Sequence, residues 1–395
     1  MRSPLPSSLP AWLASLVVAC GSSAHPAALG DAPAGGDGGP PPYPNAIGGG
    51  GGGNGGTPAP PGVCSPSPGN FDVPGNGCDD DGDGKVDNPP ACDDGSLPVG
   101  GTAAQLLKSM GLCQFIGTAA DPRWGVLSAN LYAGYGAFVS PNPAQSAILP
   151  AFGDVVVPRE GRSFGVLSSG YARAYDSLTG ATPFKGLKTP MQGGTADAAP
   201  PGYPKSSPGC PLLNSATFDL VDLKIQIKVP LNALGFSFDF DFWSGEWPEY
   251  VCTPYNDTFI AYLHSKAFNN GLPANVSFDA KNDAVSVNNG FFDRCTPDTE
   301  TGCSGTATKA AACPGGPGEL AGTGFYDFGA YCGKASTGGG ATGWLTSSAP
   351  VAPLETITLE FMIWDTGDPN WDSSVLVDHF AWAASPVSAG TVRPK

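Results

Sequence analysis

Residues 236–242 read Phe236-Ser237-Phe238-Asp239-Phe240-Asp241-Phe242. In an extended chain successive side chains point to opposite faces, so this segment carries one phenylalanine face and one polar face. The same period of two recurs on either side. Leu223, Ile225, Ile227 and Val229 alternate with Lys224, Gln226 and Lys228, and Ile357, Leu359, Phe361 and Ile363 alternate with Thr358, Glu360 and Met362. Strict alternation over seven residues predicts half-buried strands. Val276-Ser277-Phe278, Val285-Ser286-Val287 and Val375 to Phe380 are shorter candidates.

Between these segments the chain is rich in Gly, Pro, Ser and Thr. Two stretches, 176–210 and 296–342, exceed ordinary loop length and read as surface excursions held by cysteines. One helix is expected. Thr102 caps it, Ala103, Leu106, Leu107 and Met110 form its apolar face, and Gly111 stops it. No long helical pattern alternates with the strands, which argues against a parallel α/β sheet. The expected fold over residues 96–390 is therefore all-β: a jelly-roll-like β-sandwich with long disulfide-stapled loops and one short N-terminal helix.

Composition agrees. Gly (57) and Pro (42) make up a quarter of the 395 residues, which rules out a helical bundle or coiled coil. Nineteen Lys and Arg against 35 Asp and Glu give a net charge of −16. A phosphate backbone rewards clustered cations, so nucleic acid is not an expected partner.

The N-terminus reads as an export signal. Arg2 precedes a short apolar run, Leu13 to Ala19, too short to span a bilayer. Leu16-Val17-Val18-Ala19-Cys20 resembles a bacterial lipobox. That resemblance implies cleavage after residue 19 and acylation of Cys20, giving a membrane partner through the lipid anchor. Gly21 is not the Asp associated with inner-membrane retention, so the outer membrane or cell surface is the expected location. Residues 20–63, with Gly48 to Gly53 in a row and no Lys or Arg, form a disordered tether. Without Cys20 the chain has ten cysteines, an even number that permits five disulfides in an oxidising compartment. Their pairing is open at this level, and no CxxC spacing points to zinc.

Residues 64–95 form a cysteine-flanked acidic segment. Asp79, Asp81 and Asp83 occupy positions 1, 3 and 5 of a calcium loop, with Gly84 at 6, the Lys85 carbonyl at 7 and Asp87 at 9. Calcium is the expected cofactor. Pro90 stands where an EF-hand has its bidentate Glu, so a short Asp-rich extracellular calcium repeat is the closer comparison. Cys78 and Cys92 bracket the loop and can close it.

Two further acidic turns lie in the large domain. Glu246, Glu249, Asn256 and Asp257 cluster on one, and Asp365, Asp368 and Asp372 on the other. If both turns meet at one end of the sandwich, their oxygens can share a calcium. The competing reading is turn chemistry, because Asp and Asn bond their own backbone. Trp243, Trp247, Tyr250 and Tyr255 lie near the first turn, which suits a glycan or protein ligand, or else core packing. Catalysis is not expected. Glu246 and Glu249 are three apart on one segment, whereas glycosidase pairs come from different strands. His264 and His379 have no nucleophile elbow to serve, and no phosphate loop, Rossmann glycine pattern or H-E-x-x-H occurs.

Four segments carry a family resemblance. Residues 240–262 read FDFWSGEWPEYVCTPYNDTFIAY, Gly165 to Gly170 read GVLSSG, Gly343 to Thr346 read GWLT, and 361–380 read FMIWDTGDPNWDSSVLVDHF. In this order they resemble the choice-of-anchor L domain over roughly residues 100–385. The preceding GNFDVPGNGCDDDGDGKVDNPP is similar to leaders found before this domain in exported proteins of predatory and social soil bacteria. The resemblance implies a surface-anchored, non-catalytic module for adhesion or recognition, with a structural envelope protein as the alternative and a surface hydrolase as the third. Gly245 stands where the family often has a Glu.

Overall fold

The computed structural model describes residues 64–88, 90, 92–174, 196–207, 209–210, 214–288, 290–303, 305, 309–325 and 338–394. The signal segment 1–19, Cys20, the tether 20–63, Cys332 and parts of both long loops lie outside the described residues.

Ten strands of three residues or more are present among the described residues. They are β1 Gly125–Tyr132, β2 Ser146–Leu149, β3 Phe164–Ser168, β4 Thr217–Lys228, β5 Gly235–Ser244, β6 Thr258–His264, β7 Leu345–Pro350, β8 Thr356–Thr366, β9 Ser373–Ala383 and β10 Gly390–Val392. They form two antiparallel sheets. The first runs β1–β4–β8–β6, and the second runs β10–β7–β5–β9–β3–β2. The all-β sandwich is the expected class. The Val375–Phe380 candidate belongs to long β9, whereas in the weaker region Ala274–Asn275 and Val285–Ser286 make short pairings against β6 and Phe278 makes a single bridge to Ala284.

The three alternating segments build the inter-sheet core. Phe236, Phe238, Phe240 and Phe242 of β5 pack against Leu223, Ile225 and Ile227 of β4 and Leu359 and Phe361 of β8. Phe238 meets Phe361 edge to face at 4.9 Å, and Phe240 meets Phe259 at 4.9 Å. Each such side chain contributes roughly 1.5–3 kcal/mol by burial.

The opposite faces are solvated only in part: Gln226 is exposed and Lys224 and Thr358 are half-buried, as alternation predicts, but elsewhere loops cover the outer faces and the half-buried expectation is corrected. Trp243 and Leu376 lie under Phe152, Leu320 and Phe325, which loops carry across the second sheet. Met362 and Trp364 lie under Tyr135 and Tyr203 on the first. Asp222 and Asp241 are consequently fully buried on strand faces that alternation assigned to water.

Helix α1 spans Ala103–Ser109. Thr102 and Gln105 form a reciprocal capping box, and Lys108 sits in the last turn. Leu106, Leu107 and Met110 enter the main core as expected. Gly111 follows at φ +91°, a conformation that favours glycine.

The acidic leader belongs to the same compact unit as the sandwich. Phe71 enters the main core, and Asn232 clamps its backbone, accepting from Phe71 N (3.0 Å) and donating to Phe71 O (2.8 Å). The bracket Cys78–Cys92 does not form. Cys78 pairs with Cys64 and Cys92 with Cys113. The reason is local: Ser67 N and Asn70 Nδ2 both donate to Asp80 O, folding the start of the leader back beside Cys78, while Cys92 leads away toward the end of α1. Cys210–Cys252 and Cys295–Cys313 also pair, and Cys303 is disulfide-bonded.

Candidate functional site

The two acidic turns of the large domain meet at one end of the sandwich. The first, residues 245–257, joins β5 to β6. The second, 367–372, joins β8 to β9. β6 and β8 are neighbours in the first sheet, and β5 and β9 are neighbours in the second, so the two crossings between sheets lie side by side. Gly245 N donates to Asp372 O (3.1 Å), and the Ser373 hydroxyl donates to Asp257 Oδ2 (2.6 Å). Thr366 N donates to Asp257 Oδ1 (3.1 Å).

Between the turns is a cleft of about 130 Å³ lined by Glu246, Tyr250, Tyr255, Asp368, Asn370 and Trp371. Tyr250 and Tyr255 stand edge to face at 5.5 Å, and Tyr250 lies 6.5 Å from Trp371. Asn370 Nδ2 donates to Asp368 Oδ1 (2.8 Å). The cleft wall is fixed in three ways. Tyr250 N donates to Glu246 O (3.0 Å), Cys252 is tied to Cys210, and Gly367, at φ +96°, lets Tyr255 approach where a Cβ would lie 2.8 Å from its ring. A rigid aromatic wall beside carboxylate and amide groups is suited to a polar ligand with apolar faces, such as a sugar ring.

Glu246 forms the cleft floor. It is buried, and its Oε2 accepts from Asp257 N (3.1 Å). Burial pushes Glu246, Asp257 and Asp365 well above the usual carboxylate range, and their mutual charges add to the rise.

Of the aromatic candidates, Tyr250 and Tyr255 line the cleft. Trp243 and Trp247 do not, and the ligand reading is withdrawn for both. Trp243 is fully buried on the outer face of β5 against Phe152 and Phe325, because it falls in the polar register of the alternation. Trp247 stacks on Phe292 at 4.5 Å within the main core. Glu249 and Asn256 do not line the cleft, and Asn256 instead accepts from Asn288 N (3.2 Å). Sequence reasoning missed Trp371. Its signal was an aromatic inside the Gly-Asp-Pro-Asn turn, a place where packing alone does not demand one.

In the leader, the calcium-loop pattern folds as a chain of Asx turns. Asp79 accepts from Gly82 N, Asp83 N and Gly84 N at 2.8–3.0 Å, Asp81 from Asp83 N (2.9 Å) and Asp83 from Lys85 N (2.8 Å). The carboxylates that converge are Asp72, Asp79 and Asp81, with one oxygen of each within 4.8 Å of the others. Asp72 was not foreseen, since it lies outside the loop pattern. Its Oδ1 accepts from Asp80 N (2.8 Å) and Asp81 N (3.2 Å). Asp83 is drawn toward Asn88 and Lys85, and Asp87 turns to the amides of Asn76 and Gly77. Asp81 is raised by burial, and further by the charges of Asp72, Asp83 and Asp79.

The architecture defines a disulfide-linked β-sandwich with an acidic, aromatic cleft where its sheets exchange strands. Residues 224–381 match the family described as Choice-of-anchor L domain, a span from β4 to β9 that contains both turns and three of the four motifs noted in the sequence. Gly165 to Gly170 fall outside it. A choice-of-anchor domain marks a surface-associated, exported protein. No curated protein and no solved structure matches the chain.

Proposed function

We propose that this chain is a lipid-anchored surface module that recognises a glycan or protein ligand without catalysis, held outward by the 20–63 tether from an acylated Cys20 in the outer membrane. The observation that carries this reading is the cleft. Three aromatic side chains, Tyr250, Tyr255 and Trp371, stand with Asp368, Asn370 and Glu246 around a pinned opening. Calcium in the leader, held by Asp72, Asp79 and Asp81 with neighbouring carbonyls, stiffens the junction between tether and sandwich.

The test is binding of the purified chain to immobilised glycans and peptides. Trp371→Asn keeps a residue that tolerates the left-handed backbone (φ +64° here) and removes the ring. Loss of binding in Trp371→Asn and Tyr255→Ala, with unchanged melting, supports recognition. Binding that ignores both substitutions refutes the cleft. Turnover of a bound glycan that disappears in Glu246→Gln replaces recognition with the hydrolase alternative.

A further inference from the structure

Behind the cleft floor the inter-sheet core ends in acid. Along β8 the core-facing row runs Ile357, Leu359, Phe361, Ile363 and then Asp365. Along β4 it runs back through Ile225, Leu223 and Val221 to a bulge at which Asp219, φ +53°, is buried. Asp257, at the start of β6, stands beside Asp365, and Glu246 bonds the Asp257 amide. Asp219, Asp257 and Asp365 are fully buried, and Glu246 is 2% exposed.

Asp365 sets this nest apart from an ordinary acidic turn. Neither of its oxygens meets a donor in strict hydrogen-bonding geometry, although the Ser169 hydroxyl and the Asp257 carboxyl lie within reach of it. Its polar neighbours are Asp257, Ser169 and Asp219. The Ser169 hydroxyl is directed to the carbonyl of Ser373 (3.3 Å) and receives Ser373 N (2.9 Å). The two Asp257 oxygens are occupied by Ser373 Oγ and Thr366 N. Among the described residues the ion pairs lie elsewhere, and the charges acting on Glu246, Asp257 and Asp365 are those of other carboxylates. A buried carboxylate without a compensating positive charge is strongly disfavoured, and several together more so.

We propose that a hard divalent cation of the calcium type binds between the two sheets at this end, with Asp365 as its central ligand and Asp257, Glu246 and Asp219 around it. Carboxylate oxygens are the donors such a cation prefers, and its flexible coordination suits ligands from several strands. The nest is wider than the leader trio, whose oxygens alone among the described His, Cys, Asp and Glu groups converge within 4.8 Å. The cation therefore draws the side chains inward and binds a water where one falls short. Because Glu246 is also the cleft floor, the ion ties both sheets to the cleft. This site does not depend on the recognition reading, since a cleft that takes no ligand leaves it unchanged.

The test uses the full chain, stripped by chelator and titrated with calcium, and with terbium as a luminescent stand-in sensitised by nearby tryptophans. Asp79→Asn plus Asp81→Asn removes the leader trio. In that background we expect calcium to raise Tm by about 5 °C at a hundredfold excess over Kd, and terbium luminescence to persist. Adding Asp365→Asn abolishes both responses. In chelator, however, Asp365→Asn melts no lower than its parent, because a neutral amide relieves the repulsion; this outcome separates loss of a ligand from misfolding. If the leader variant shows no calcium response at 10 mM (about tenfold above the weak end of extracellular sites), or if Asp365→Asn keeps the response, the inference is overturned. A Tm that rises on acidification and ignores cations instead assigns a shared proton to Asp257 and Asp365, and also overturns it.

Discussion

The hydroxyl of Ser373, the first residue of β9, donates to Asp257, 116 residues earlier at the entrance to β6, across 2.6 Å. Asp257 belongs to the first sheet and Ser373 to the second. This bond, with Gly245 N on Asp372 O, makes two turns that are remote in sequence into the walls of one cleft.

Ser373→Ala removes that bond and leaves Asp257 Oδ2 without a donor in a buried place. A hydrogen bond to a carboxylate contributes about 1.5–3 kcal/mol. Urea unfolding should show a loss of that order with an unchanged m-value. A loss below about 0.5 kcal/mol would show that the two turns are held by other contacts.

The leader docks through Phe71 and its backbone clamp on Asn232. Asn232→Ala removes both bonds, and we expect a loss of about 1–2 kcal/mol. Hydrogen exchange should speed up over residues 66–88 while β4, β5 and β8 stay protected. Uniform acceleration across the chain would mean that the leader and sandwich unfold only together.

His379 sits at a bulge in β9 with φ +52°, and its Nδ1 meets Asp239 Oδ2 at 3.1 Å. Asp239 also receives Arg159 Nε (3.2 Å) and Thr346 Oγ1 (2.5 Å), while Glu160 and Asp378 lie close by. The hydrogen bond to Asp239 raises the His379 pKa by more than burial lowers it. A raised folded-state pKa gives stability that is complete below the unfolded value, about 6.5, and lost as pH rises through the folded value. His379→Asn keeps a residue that accepts the left-handed backbone and removes the charge. The Tm gap between wild type and variant should be widest below pH 6.5 and narrow above it. A gap that widens with pH contradicts the ion pair.

Asp222 is fully buried beside Glu360, with Lys224 bonded to Glu360 at 2.7 Å. Burial first, then the Glu360 charge, pushes Asp222 up to about 8. Its folded form therefore holds a proton that the unfolded chain releases near pH 4, and stability falls as pH rises between those values. Asp222→Asn should match wild type at about pH 3 and exceed it increasingly as pH rises toward 9, measured by thermal melts. Equal pH profiles would show that Asp222 is solvated or paired in solution.

Peptide mapping under non-reducing conditions should recover Cys64 with Cys78 and Cys92 with Cys113. A Cys78–Cys92 peptide would restore the simpler closed acidic loop and undo the docked leader.

The sequence by itself determined the inward faces. Phe236 to Phe242, Leu223 to Val229 and Ile357 to Ile363 were legible because a strand's alternation is a local property of the backbone, and the same holds for the Thr102–Gln105 cap. The acidic residues and their turn chemistry were legible too. Whether two turns 110 residues apart would share a site was not, because that depends on β6 lying beside β8 and β5 beside β9. Strand order also explains the misplaced tryptophans. Period two puts Trp243 opposite the phenylalanines, and only the loops laid over the second sheet turn that face from water into core. Asp72 and Asp219 were invisible as partners of the acidic sites for the same reason. Each lies outside the local pattern and joins its cluster only when the folded chain brings distant backbone into hydrogen-bonding range. Tertiary structure decided where the charges gather, since side-chain direction is set by neighbouring residues but proximity across sheets is set by which strands pair.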